Sequence, residues 1–399
     1  MCYMKEFRLT EHEVMSLSSR MPTPFMVAST DKIEENYRFM RHHLPHAGIY
    51  YAIKANPTPA ILKRLIGLGA HFDVASAGEM ALLHGMGVDG SRMIYANTVK
   101  NISGLKMAAK IGLNRFTFDE ETEIDKMAAY VPGADVLLRI SVHNSKAKVD
   151  LNTKFGAPPS MACELLMKAR DKGLNPIGIC FHVGSQSFST AAYEEALLLC
   201  HGIFDEAKRM GLNLTDLDIG GGFPVPSLDC PHVDPAPMMD AIDRQIVRLF
   251  PNTAVWTEPG RFICGTAVNL VASVIGTRSY GDEPWYIIDE SIYGSFSGIM
   301  YDHWAYPFTV FGHGEVCPST FAGPTCDGID VLYRSFQSPR LSIGDKVLAT
   351  NIGAYSTVSA TRFNGFEIAP TVIWEEQPEC LSRKDTEKSS DERISAEAI

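Results

Sequence analysis

From about residue 25, short apolar runs alternate with longer amphipathic stretches along the chain. The runs PFMVA, IYYAIK, HFDVAS, RMIYAN, RFTFD, DVLLRI, IGICFHVG, LTDLDIGG and AVWTEPG are rich in aliphatic and aromatic residues. Most of them end on Gly, Asn, Asp or Ser, as buried strands do. Between them DKIEENYRFMRHHL, TPAILKRLIGLG, AGEMALLHGMG and AAYEEALLLCHGIFDEAKRMG place apolar residues at helical spacing, the last closing on a glycine. Repeated strand and helix imply parallel strands joined by right-handed crossovers, which either a closed barrel or an open doubly wound sheet satisfies. The barrel is favoured for residues 25–265, because the number of units suits its usual length. The stretches AIKANP, DVASAGE, HVGSQ, DIGGGFP and EPGR also fall where strands end, the face on which (β/α)8 barrels build their sites.

After residue 266 the helical stretches stop. VNLVASVIGTRS, PWYIIDE, GDKVLATNIG and GFEIAPTVIW are strand-like runs separated by turn residues, so residues 266–375 predict a second domain, an antiparallel β-sandwich or β-barrel-like unit. Residues 1–24 precede the barrel and are expected to pack with that second domain. Residues 376–399 are polar and highly charged, the composition of a mobile tail.

Composition narrows the class without naming a chemistry. The 399 residues are 45% hydrophobic and 21% charged, ordinary for a globular protein with room for two domains. A net charge of −11 disfavours nucleic acid as a partner and suits a cationic small molecule. The nine cysteines include no CxxC pair, which disfavours a disulfide framework or a zinc site and points to a reducing, cytoplasmic setting. Neither a signal-like apolar segment nor a run of ~18 apolar residues is present, so no membrane association is expected.

Lys54 is the first residue with a chemical question attached. It closes the apolar run IYYAIK, where a charged amine is costly to bury. Such a lysine can act as a nucleophile toward a carbonyl, or it can simply reach solvent or pair with an acid. LDIGGGFP gives three glycines after a strand, a turn whose bare backbone suits a phosphate and which also serves as an ordinary tight turn. TEPGRF adds Glu258, Gly260 and Arg261 at another strand end. FHVGSQ adds His182, whose ring could stack on a flat ligand or sit satisfied in a core, and Ser185, a candidate phosphate donor. Together these are the parts that hold pyridoxal 5′-phosphate: an amine for the aldehyde, glycines for the phosphate and an acid for the pyridine nitrogen.

The motifs AIKANP, FDVASAGE, HVGSQ, DIGGGFP, EPGRF, YGSFSGIMYDH, GPTCDGID and GAYS…FNGF occur in this order between about residues 20 and 370. The set resembles the group IV pyridoxal-phosphate-dependent decarboxylases of the alanine-racemase-like fold, and within them the ornithine and lysine decarboxylases. The resemblance implies that Lys54 forms the Schiff base with the cofactor, Glu258 pairs with its ring nitrogen and His182 stacks on the ring. It implies that Ser185, Gly221, Gly222, Gly260, Arg261 and Tyr355 hold the phosphate, with Asp73, Glu79 and Arg139 nearby. Cys326 would return a proton to the α-carbon and Asp327 would receive the substrate's distal ammonium, both from the neighbouring subunit of a homodimer. Asp302 and Tyr301 would complete the substrate site, and Lys154 and Asp330 resemble a pair that bridges subunits.

The implied reaction is decarboxylation of L-ornithine to putrescine. L-lysine is the second choice, because one methylene is worth only ~1–3 kcal/mol of discrimination. A diaminopimelate decarboxylase would place Glu after the cysteine, where Asp327 stands, and an alanine racemase would place a tyrosine at position 326. A decarboxylase of a modified diamino acid shares every motif, and its pocket loops alone would set it apart. A non-enzymatic regulatory homologue would have lost Lys54, the phosphate contacts or Cys326.

Overall fold

The computed structural model describes residues 4–144, 147–149, 154–281 and 283–377, so most of the 376–399 segment lies outside the described residues. The chain divides into two compact units, Met1–Met4 with Glu34–Pro226 and His232–Cys264, and Lys5–Ile33 with Ser227–Pro231 and Gly265–Ile399.

The first unit is a closed barrel of eight parallel strands. In chain order these are β1 (Ala47–Ala52), β2 (His71–Val74), β3 (Met93–Tyr95), β4 (Arg115–Phe118), β5 (Asp135–Arg139), β6 (Asn175–Cys180), β7 (Asp216–Asp218) and β8 (Ala254–Thr257). Closure is made by β8 on β1, where Val255 pairs with Ala47 and Thr257 with Ile49. A buried cluster that includes Tyr50, Ile94, Leu137 and Trp256 fills part of the interior, so the barrel is a packed core rather than a pore.

Eight helices accompany the strands: α1 (Thr30–His43), α2 (Pro59–Gly67), α3 (Ala77–Gly85), α4 (Ile102–Ile111), α5 (Glu121–Tyr130), α6 (Ala162–Asp171), α7 (Thr190–Arg209) and α8 (Ala236–Leu249). Their ends follow local chemistry. In α4 the Asn101 side chain accepts the Gly104 N–H at 2.7 Å, Gly112 takes the left-handed conformation just past the end, and Leu105, Ala108 and Ile111 face inward. Helix α1 precedes β1, yet beyond Glu34 it fills the position after β8: Asn36 donates to the Ile263 carbonyl at 2.9 Å, and the Phe39 and Phe262 rings lie 6.1 Å apart.

The second unit is an eight-stranded sheet. Val268–Tyr280 runs antiparallel to Glu283–Ile288 and to Lys346–Ala349, and Val316–Ala322 runs antiparallel to Val331–Pro339. Two pairings are parallel, Glu283–Ile288 with Val316–Ala322 and Phe25–Ala28 with Thr371–Ile373. Their partners are separated by long stretches of chain rather than by hairpin turns, which is why the turn signals do not reveal them.

Phe25–Ala28, the run PFMVA, joins this sheet rather than the barrel, pairing antiparallel with Val268–Val271. A short run buried on both faces carries nothing that selects its sheet. Its side chains pack with Leu9, Val14 and Leu17, around the helix Glu11–Ser18 that a Thr10/Glu13 capping box begins. Among the described residues no helix is long and apolar enough to cross a membrane, and no cluster of His, Cys, Asp and Glu could hold a metal ion.

Candidate active site

Lys54 lies in the 3₁₀ turn Ile53–Ala55 directly after β1. Its Nζ is 2.8 Å from Oδ2 of Asp73, on the neighbouring strand β2. The Lys54 side chain is 48% exposed and that of Asp73 only 1%, so the ammonium keeps contact with solvent while its partner carries the burden of burial. The other Asp73 oxygen, Oδ1, is buried without a hydrogen-bond partner. In the first turn of α3, Glu79 accepts the Ala75 N–H at 2.6 Å. Burial raises its pKa against that hydrogen bond, and the Asp73 charge adds to the rise.

Arg139 ends β5 with its guanidinium 4.8 Å from the centre of the Phe155 ring, and its Nε and one Nη are buried without partners. His182 follows β6. Its Nδ1 accepts the Gly184 N–H at 2.9 Å, which leaves any hydrogen of the neutral ring on Nε2. Burial, then the Arg139 and Lys54 charges, lower its pKa to about 3. His182 is therefore a fixed, neutral, flat ring.

The glycine turn is held from several sides. Gly222 has φ +102°, and a Cβ there would collide with the Gly184 carbonyl oxygen, so both backbone and space demand glycine. The Gly221 carbonyl accepts the Tyr193 hydroxyl at 2.7 Å and the Gly222 carbonyl accepts the Ser187 N–H at 2.8 Å. Ser185 begins the short strand Ser185–Ser187, which pairs with Ala147–Val149. Arg261 begins the short helix Arg261–Cys264 after Gly260 and is buried.

Two carboxyl groups meet beneath this turn. Asp218, the last residue of β7, accepts the Gly220 N–H at 2.8 Å. Glu258, directly after β8, donates its own N–H to the Gly220 carbonyl at 2.8 Å. Their side chains are hydrogen-bonded to each other. Burial pushes the Asp218 pKa up to about 7. It pushes Glu258 well above the usual carboxyl range, with the Asp218 and Asp73 charges adding to the rise. Oε1 of Glu258 is buried and has no partner. A buried acceptor without a donor, a reachable amine and a bare glycine turn fit the ring nitrogen, aldehyde and phosphate of pyridoxal 5′-phosphate.

In the second unit Cys326 and Asp327 sit in the loop between Val316–Ala322 and Val331–Pro339. The Cys326 thiol is exposed, and its N–H donates to Asn364 Oδ1 at 2.9 Å. The Asp327 carboxylate accepts the Tyr293 hydroxyl, and the Ile329 N–H at 3.1 Å. The Tyr293 hydrogen bond, first among the causes, lowers the Asp327 pKa. The Tyr293 ring stacks on Phe363 with centroids 4.3 Å apart. Asp330 is buried and accepts the Ser291 hydroxyl at 3.0 Å and the Thr325 hydroxyl at 2.7 Å, so it anchors the loop within the chain. Asp302 follows the short helix Gly298–Tyr301, whose Tyr301 is exposed, and Tyr355 adopts a left-handed backbone.

The barrel thus brings together Lys54, Asp73, Glu79, Arg139, His182, the glycine turn and Glu258, while Tyr301, Asp302, Cys326, Asp327 and Tyr355 belong to the second unit. Asp218, Tyr193 and Tyr293 went unnoticed in the sequence. Asp216 and Asp218 alternate in an otherwise apolar strand, a signal that could have placed Asp218 inside the barrel.

Residues 30–265 match the family model described as the pyridoxal-binding domain of pyridoxal-dependent decarboxylases. The lysine/ornithine decarboxylase of Selenomonas ruminantium is 68% identical over 95% of this chain and 97% of its own length. A crystal structure of SrLDC in complex with PLP and cadaverine superposes with a TM-score of 0.93 at 65% identity, covering 97% of this chain and 99% of that one. Antizyme inhibitor 2 of Xenopus laevis is 35% identical, over 87% of this chain and 80% of its own length.

Proposed function

The chain belongs to the pyridoxal-dependent decarboxylases, acts on a basic amino acid and uses pyridoxal 5′-phosphate, and from that premise we propose that it converts L-ornithine to putrescine and L-lysine to cadaverine. The observation that carries the substrate choice is the pair Cys326–Asp327, an exposed thiol beside a carboxylate that Tyr293 keeps ionised. A carboxylate held in that form suits a distal ammonium and disfavours a substrate with an acidic tail.

The residues of the barrel mouth would hold the cofactor as follows. The Lys54 amine would take its aldehyde, with Asp73 beside it to keep the amine placed. Glu258 would face the ring nitrogen, the neutral His182 ring would stack on the pyridine, and Gly221, Gly222, Gly260, Arg261, Ser185 and Tyr355 would receive the phosphate. Once bound, the cofactor supplies an electron sink for the charge left when CO2 departs. Asp218 accepts the proton that Glu258 holds between them and so influences how much negative charge Glu258 presents. Asp327 and Asp302 would orient the distal ammonium, with Tyr301 beside them. Cys326 would then deliver a proton to the α-carbon from its thiol.

We place Cys326 and Asp327 in the site of a second copy of the chain, so that the active form is a homodimer and neither subunit works alone. The seven cysteines among the described residues are free thiols, which supports a cytoplasmic setting. Antizyme inhibitor 2 shows where a regulatory reading would come from, but Lys54, Glu258 and Cys326 are all retained here.

The test is borohydride reduction of the holoenzyme followed by peptide mapping, together with CO2 and amine release from ornithine, lysine, arginine and diaminopimelate. Label on Lys54 and turnover of the first two substrates are expected. Label elsewhere would reject the cofactor assignment, and turnover of diaminopimelate would reject the role of Asp327.

A further inference from the structure

We propose that the amino-terminal face of the barrel, opposite the strand ends that carry Lys54, holds a second binding site for a small, multiply charged oxyanion bearing phosphate or carboxylate groups. A cavity of about 720 Å³ opens there between α1 and the end of α2. Gly48 and Ile49 at the start of β1 line it, with Tyr37, Arg38, Arg41 and His42 from α1 and His71 from the start of β2. No acidic residue lines it. In a chain of net charge −11 this is a local reversal of sign.

Of the lining cations, Arg38 is paired with Glu34 one turn back in α1, at 2.7 Å. Arg41 has one long hydrogen bond, 3.5 Å to the Ala47 carbonyl. Arg92, which acts on both Tyr37 and His71 of the lining, donates to the carbonyls of Ile66 in α2 and of Ala70 just past it at 3.4 and 2.5 Å. Nδ1 of His71 is buried without a partner, and its ring lies 4.7 Å from that of Tyr50. Burial lowers the pKa of this imidazole, and the charges of Arg92 and Arg115 add to the effect, so two guanidinium groups lie close to the cavity floor. The volume fits a metabolite. A nucleic acid would meet this patch only across a surface of predominantly negative charge.

The probes are sodium pyrophosphate and trisodium citrate, titrated calorimetrically into the holoenzyme, whose cofactor already occupies the phosphate contacts of the active site. Sodium chloride at matched ionic strength is the blank. Saturable binding of pyrophosphate is expected. It should weaken about tenfold in Arg41→Gln, the loss of one charge contact, and disappear in Gly67→Glu, which brings an acid to the wall at a position where a Cβ meets nothing within 4 Å. Gly67→Ala, the control for folding, should bind like the wild type. Citrate binding as well would mean the site reads charge alone, and its failure to bind would mean that it reads phosphate geometry; the site stands in either case. The proposal falls if neither probe binds saturably, or if both charge variants bind pyrophosphate as the wild type does.

Discussion

Replacing Glu258 with Gln should stabilise the cofactor-free protein while removing its activity. Asp218 is pushed from 3.8 to about 7, a rise of roughly 3 pH units that bounds the cost of ionising it in place at about 4 kcal/mol. The sign follows from proton binding. A carboxyl with a raised pKa keeps its proton in the folded chain at pH values where the unfolded chain has released it. Stability therefore falls as pH rises from about 4 through 7, and the cost is complete above that range. Glutamine removes one acid from the pair, and its amide can still donate to Asp218. Arg139 continues to favour the ionised Asp218. The burial cost of Asp218 itself stays, so what is recovered is the cost of the second acid, on the order of 1–2 kcal/mol, which in a chain of 399 residues should raise the melting temperature of the stripped protein by about 1–3 °C near pH 8. Near pH 5, where both wild-type carboxyls hold their protons, the gain should largely vanish. Thermal unfolding of stripped wild type and variant at the two pH values is the assay. In the holoenzyme kcat/KM should fall on the order of a hundredfold or more, because an amide cannot balance a protonated ring nitrogen. A variant no more stable than wild type near pH 8, or one equally stabilised at both pH values, would refute the account of the carboxyl pair.

Three further outcomes follow from the same geometry. Cys326→Ala should keep the cofactor's visible absorbance and lose clean amine formation, measured by product chromatography; normal product at a normal rate would remove the thiol from its role. Tyr293→Phe deletes the hydroxyl that holds Asp327 and should raise KM for ornithine and lysine a few-fold with little change in kcat, whereas a fall in kcat at constant KM would assign Tyr293 elsewhere. Mixing Lys54→Ala with Cys326→Ala protein should recover up to roughly a quarter of wild-type activity, since half of randomly formed dimers are mixed and each has one intact site. No recovery would count against shared sites.

The barrel was legible because its signals are local. Strands buried on both faces read as continuous apolar runs, and the polar and glycine-rich stretches mark their carboxyl ends. Lys54 was visible for the same reason, as a charge at the end of such a run. What relieves its cost was less visible: Asp73 lies 19 positions away in sequence and one strand over. Parallel pairing brings those residues side by side, and no periodicity within either strand announces it. The assignment of Phe25–Ala28 failed on similar grounds. Its burial pattern is that of a barrel strand, while its partners, Val268–Val271 and Thr371–Ile373, lie some 240 and 345 positions along the chain.

The carboxyl pair shows where motif reading stops. LDIGGGFP draws attention to its glycines, and EPGRF to Glu258, each as a separate strand end. The fold makes them one object, because β7 and β8 are neighbours in the barrel and the Gly220 carbonyl accepts both the Thr257 hydroxyl and the Glu258 N–H. That register brings Asp218 against Glu258 and leaves Oε1 unpartnered. An unsatisfied buried acceptor costs folding free energy, on the order of 1–3 kcal/mol, and a well-packed barrel has no structural use for one. Its persistence beside a second acid is explained if a bound ring supplies the missing donor, so the destabilising feature of the empty chain and the functional feature of the loaded one are the same atoms.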